Sequence, residues 1–191
     1  APLPSPILHV HGAAFSLWIL FLLFQTFLVS AKRVDLHRSL GLAGFALACA
    51  MVLLGVAAAT DLLRRDSGGP AANAAFNAQA FYAGTIGDML IFSTLVFFAY
   101  RARFNTSTHK RLILIATITL MQAATARLPF QIIARTPHLA DFFAYSFLLL
   151  LLVYDLWSIR RVHPTTLWAG AFLVVLQQVE PLLGKTSVWQ G

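Results

Sequence analysis

Cysteine and charge are both scarce in this 191-residue chain. The one cysteine, Cys49, lies in an apolar run. A lone thiol excludes an internal disulfide and a thiolate metal cluster. Charged residues make up 11% of the chain and hydrophobic residues 59%, whereas soluble domains carry about a quarter charged residues. A soluble domain of this size buries only about two-thirds of the surface its unfolded chain exposes. That leaves no room to hide so much apolar side chain, so lipid is the solvent that the composition requires. Recognisable reaction motifs are also lacking: there is no H-E-x-x-H, Walker sequence, G-x-S-x-G or paired-cysteine element, which removes the usual support for hydrolytic and nucleotide-driven chemistry. The segment Ala1-Pro2-Leu3-Pro4-Ser5-Pro6 has no basic n-region and reads as an extended lead-in, not a signal peptide.

Long apolar runs are what the sequence has in abundance. A helix needs about 20 mostly apolar residues to cross a hydrocarbon core about 30 Å thick. Six stretches approach or meet that requirement: 7–31, 39–60, 80–100, 109–133, 137–159 and 163–183. The expected fold is all-α, a single integral membrane bundle over residues 1–191, with about six transmembrane helices arranged as three consecutive hairpins. Residues 62–79, with Asp66-Ser67-Gly68-Gly69-Pro70 in their midst, read as an external loop.

Basic residues orient this bundle. Lys32, Arg33, Arg38, Arg101, Arg103, Lys110, Arg111, Arg160 and Arg161 all fall in the links between spans one and two, three and four, and five and six. The positive-inside rule makes those links cytoplasmic and puts both termini on the non-cytoplasmic side. Tyr100, Tyr154, Trp157 and Trp168 collect at the same boundary, as an interfacial aromatic belt does. The net charge of +7 is therefore topological, and its placement between apolar runs argues against a nucleic-acid partner.

Each cytoplasmic link ends in a histidine before the next span: His37, His109 and His163. Three similar solutions to one interfacial problem account for this better than an internal repeat, because the apolar runs share no clear identity. These inner-side histidines read first as interfacial groups beside lipid headgroups. In span two, Gly41, Gly44, Ala48 and Gly55 share roughly one helical face, which allows close backbone approach to a neighbouring helix.

Ionisable residues inside a membrane mark functional sites or buried structural pairs. Asp88, Gln122, Arg127 and Asp141 lie in the outer half of their spans, with His11, Gln177, Gln178 and Glu180 at a similar level. The inner half is plain hydrocarbon apart from Gln25 and Asp155. This asymmetry suggests an outward-opening polar pocket in which Arg127 pairs with Asp88 or Asp141. The alternative is a structural lock between two helices. Histidine is the natural haem ligand, and an outer axial pair would combine His9 or His11 with His138. No residue is assigned a catalytic role, and no metal-ion site.

Taken together, His11-Gly12, His37-Arg38-Ser39-Leu40-Gly41, His109-Lys110-Arg111-Leu112, Gln25, Asp88, Arg127 and the Asp155 to Pro164 stretch resemble a group of uncharacterised bacterial polytopic membrane proteins classed as a domain of unknown function. That resemblance covers most of the chain and implies topology without activity. The first four spans are also similar to cytochrome b561-type electron carriers, which bind haem b between paired histidines. Span three departs from that pattern, because Asp88 stands where a histidine would be expected. The leading expectation is an electron-transfer component binding haem b or a quinone in the outer half, with His11, His138, Asp88, Gln122, Arg127 and Asp141 around the site. The alternatives are a non-enzymatic accessory subunit held by other membrane subunits, and a small-solute transporter or sensor.

Overall fold

The structure, a computed structural model, describes residues 5–66, 78–125 and 139–183. Every element among them is a helix. These are α1 (Pro6–Ser30), α2 (Val34–Asp66), α3 (Ala78–Arg101), α4 (Thr106–Thr119), α5 (Met121–Thr125), α6 (Leu139–Ile159) and α7 (Pro164–Leu183). Four segments are long and apolar enough to cross a membrane by length and composition: Pro6–Ser30, Val34–Arg65, Ala78–Arg101 and Asp141–Ile159. The described residues fall into two compact units, the first reaching Met89 and the second running from Leu90 to Leu182. The boundary lies inside the continuous helix α3.

In the first unit, α1 and α2 form a hairpin. Pro6 opens α1 at a position where its missing N–H goes unused. Ser5 precedes it, and its hydroxyl donates across the hairpin to Asp61 Oδ2 at 2.7 Å. The turn is closed by a left-handed residue, Lys32, at φ 59°. Arg33 N–H then reaches Leu28 O at 2.8 Å and Lys32 N–H reaches Val29 O at 3.1 Å, so the last carbonyls of α1 are met by the turn itself.

Helix α2 is longer than its apolar run. At 1.5 Å per residue its 33 residues span about 50 Å, well beyond the hydrocarbon core. Residues 62–66, expected in an external loop, are its last turn, and residues 78–79 already belong to α3. The rest of the expected loop lies outside the described residues. Of the small-residue face, Gly44 lies beneath the Phe21 ring, where an added Cβ would come 2.5 Å from a ring carbon, and Gly55 lies beneath Met89. Ala48 is buried, whereas Gly41 faces open space.

The second unit is built on the last turns of α3 with α4, α5, α6 and α7. Its core is apolar, around Ile91, Phe92, Leu95, Ile115, Leu148 and Leu173. Asn105 caps α4, its side chain accepting the Thr108 N–H at 3.2 Å. The fourth expected span, 109–133, is interrupted. Helix α4 ends after 14 residues, a break follows at Leu120, and α5 is a short separate piece. The cause is local. Thr117 and Thr119 turn their hydroxyls back onto Ile113 O and Ile115 O, a bonding pattern that bends helices. Leu120 N–H then makes the tighter bond to Thr117 O at 3.1 Å. At this break the Gln177 amide of α7 donates to the Thr119 carbonyl at 3.4 Å.

Large apolar side chains cover the outward faces of α1, α2, α3 and α6, Leu20, Leu53, Leu90 and Leu149 among them. Contiguous apolar surface on this scale is not left facing water by a stable soluble chain.

Candidate functional site

Two polar layers lie at opposite ends of the second unit. The first gathers the start of α4, the end of α6 and the start of α7. Arg111 and Asp155 are its centre, 1% and 0% exposed. Arg111 Nε and Nη2 both donate to Asp155 Oδ1, at 3.0 and 2.5 Å. Its Nη1 donates to the carbonyl and hydroxyl oxygens of Ser107, each at 2.8 Å. The other carboxylate oxygen, Oδ2, accepts from the Thr166 hydroxyl at 2.6 Å and from the His163 N–H at 3.1 Å. Desolvating two ions is expensive, and such a pair persists only when its remaining donors and acceptors are also met. Here they are, by side chains and backbone from three elements.

His163 completes this layer. It immediately precedes Pro164, the first residue of α7, and so stands as that helix's cap. Its Nδ1 accepts the Thr165 N–H at 3.1 Å, which places the ring proton of the neutral form on Nε2, facing Ser107 Oγ at 3.1 Å. Burial, then the Arg111 guanidinium, hold the imidazole below its ordinary pKa, while Asp155 pulls in the opposite direction. Geometry and electrostatics agree on a neutral ring, since a proton on Nδ1 would confront the Thr165 N–H.

The inner half is thus not plain hydrocarbon. Sequence reasoning gave Arg111 only a topological role and left Asp155 without a partner. The missed signal was one of depth: Arg111 lies just inside the start of its span and Asp155 near the inner end of the next, so the two are level. The other inner histidines are also tied down. His37 Nδ1 meets Gln25 Oε1 at 2.8 Å, and His109 Nδ1 meets Ala99 O at 2.8 Å. Each is the fourth residue of its helix and reaches back to the preceding one. His163 caps its helix instead, so only two of the three histidine turns share a design.

The second layer lies where α5 begins, in the first turns of α6 and late in α7. The Gln122 amide donates to Asp141, joining α5 to α6. The Gln178 amide donates to the Tyr145 hydroxyl at 3.1 Å, joining α7 to α6. Unlike the first layer, it is partly open: Gln122, Asp141 and Tyr145 are half-buried and Gln178 is exposed. No family model, characterised protein or solved structure matches this chain. What the layer can do must therefore be read from its own groups. A carboxylate accepts hydrogen bonds and protons, amides donate and accept, and a phenol does both.

Of the expected site residues, the structure brings Gln122 and Asp141 together. His11 and Asp88 belong to the first unit, on α1 and α3. The His11 ring packs on Phe15 with centroids 4.2 Å apart, and Asp88 is half-buried. Arg127 and His138 lie outside the described residues, as do the expected pairings that involve them. Among the described residues, no group of three or more His, Cys, Asp or Glu side chains is placed to hold a metal ion.

Proposed function

We propose that this chain is a multi-pass protein of a bacterial inner membrane, six spans folded as three hairpins with both termini on the non-cytoplasmic side, and that its outer polar layer receives a quinol headgroup. The basic links and the aromatic residues beside them support that orientation. The observation that carries the functional reading is the contrast between the two layers. One is closed and saturated; the other is partly open and holds the Gln122–Asp141 pair.

A quinol presents hydroxyl donors and its oxidised form presents carbonyl acceptors. A carboxylate and an amide side by side serve both, and Asp141 is placed to take a proton from a hydroxyl. An electron-transfer role follows from that ligand class, and the resemblance of the first four spans to cytochrome b561-type carriers points the same way. Haem b would call for two imidazoles at one depth, whereas the quinol reading stands on the Gln122–Asp141 pair alone. A non-enzymatic accessory subunit is the second reading. It is favoured by the Arg111 network, in which every buried charge is consumed by internal bonds.

Titration of the purified protein with a short-chain quinol tests the first reading. Saturable binding that Asp141→Asn weakens at least tenfold is the expected result. Unchanged binding in Asp141→Asn, or none in the wild type, would sink it. A reduced-minus-oxidised optical spectrum of the same sample reports haem independently, and native-mass measurement in mild detergent reports partner subunits.

A further inference from the structure

We infer that the basic-turn end of the second unit is a binding surface for anionic phospholipid, centred on Arg103. This rests on the membrane reading above and names a partner for one end of the bundle.

Arg103 lies in the turn between α3 and α4. Its guanidinium carbon is 4.6 Å from the centroid of the Tyr100 ring and 4.6 Å from that of Phe104. One donor, Nη1, is accepted by the Tyr100 carbonyl at 3.2 Å. Two rings thus fix the cation on an exposed turn, and a guanidinium held in this way presents a planar fork that suits a phosphate. Lys110 is held similarly, its Nζ donating to the Tyr154 hydroxyl at 3.2 Å and lying 5.1 Å from that ring's centroid. This contact joins the start of α4 to the end of α6, where Arg160 and Arg161 follow.

These four residues and Arg101 are all exposed. None of the five forms an ion pair among the described residues, whereas Arg33, Arg65 and Arg111 each have a carboxylate. Among the described residues of the second unit, Asp155 is the one acid at this end, and it is buried and bonded internally, so it does not neutralise the surface.

Anions of several kinds suit five cations; the neighbouring apolar surface decides among them. Phe104 and Trp157 are 76% and 80% exposed, and below them the outward face of α6 carries Leu150, Val153 and Leu156, all exposed. A phosphate head beside the cations with acyl chains along α6 uses both parts of the surface. A free phosphate or an acidic peptide uses only the first. Cations near an anionic leaflet favour it by a factor of about five each.

The test uses the full chain in mild detergent with equimolar phosphatidylglycerol and phosphatidylcholine of matched acyl chains, bound lipid being counted by native mass. The wild type is expected to retain phosphatidylglycerol at least tenfold over phosphatidylcholine. Arg103→Gln lowers that ratio about fivefold, Arg103→Lys lowers it less, and Arg64→Gln at the far end of α2 leaves it unchanged. Lys110→Gln and Arg161→Gln serve if Arg103→Gln does not fold. Equal retention of the two lipids by the wild type overturns the inference. So does a wild-type ratio in all the basic-end variants that fold, or loss of the ratio to excess inorganic phosphate at constant ionic strength. Release of the chain from membranes by alkaline carbonate would instead overturn the membrane reading itself.

Discussion

Arg111 and Asp155 show how a costly pair becomes an anchor. Removing one partner leaves the other charge buried and uncompensated, at a cost of about 3–5 kcal/mol. Asp155→Ala and Arg111→Ala are therefore expected to lower stability by that amount in detergent unfolding, measured by denaturant midpoint or thermal scan. The double change Arg111→Met with Asp155→Leu removes both charges and should cost less than either alanine variant. If the double variant is as unstable as the sum of the two, the pair is not acting as a charge pair.

His163 adds a pH dependence of known sign. Its folded-state pKa is held below the ordinary value of about 6.5. As pH falls through that value the unfolded chain takes up a proton that the folded chain refuses. The stabilisation is therefore complete above about pH 6.5 and declines as pH falls toward the depressed folded value. Asn supplies an acceptor at the same capping position without titrating, so His163→Asn should flatten the stability profile below about pH 6.5. An unaltered slope in that variant would assign the dependence to another group.

At the scale of elements, hairpin α1–α2 is governed by close approach and by one strained turn. Gly41, Gly44 and Gly55 share a helix, so an alanine at each gains similar helix propensity and differs only in what its methyl meets. Gly41→Ala meets nothing and should stabilise by about 0.5–1 kcal/mol. Gly44→Ala must displace the Phe21 ring and should fall below Gly41→Ala by about 1–3 kcal/mol. Gly55→Ala meets the flexible end of Met89 and should lie between them. Unfolding of the three variants under one condition orders them directly. In the turn, Lys32 is left-handed at φ 59°, as is Arg160 after α6. A side chain in that region costs about 1–2 kcal/mol, so Lys32→Gly should raise the unfolding midpoint despite removing a charge. A lowered midpoint would mean that the lysine side chain does more than close the turn.

For the whole molecule, the proposed orientation makes a labelling prediction. Cys49 is exposed on α2 and is replaced first by alanine. In that background, cysteines introduced at Lys32, Arg103 and Arg161 should react with a membrane-impermeant maleimide only from the cytoplasmic side. One introduced at Arg64 should react only from the other side. Labelling of Lys32 and Arg64 positions from the same face would end the proposed topology.

Much of this molecule was legible in its sequence, for a physical reason. Apolar runs of about 20 residues between basic links report how each segment partitions between lipid and water, which is a property of the segment alone. The helical class, the four long apolar helices and the polar character of Asp141 and Gln122 follow from it. Tertiary structure decided which polar groups meet. Arg111 reads as a link charge until the packing of α4, α6 and α7 brings it to Asp155, 44 positions away in sequence, and brings Thr166 to the same carboxylate. The break at Leu120 belongs to the same class. Its threonines are visible in the sequence, but the break itself took shape through back-bonding to Ile113 and Ile115 and through the amide of Gln177 on another helix. Hydrogen bonds are directional and short, so a pattern of hydropathy cannot specify them; only the packed helices fix which donor lies within 3 Å of which acceptor.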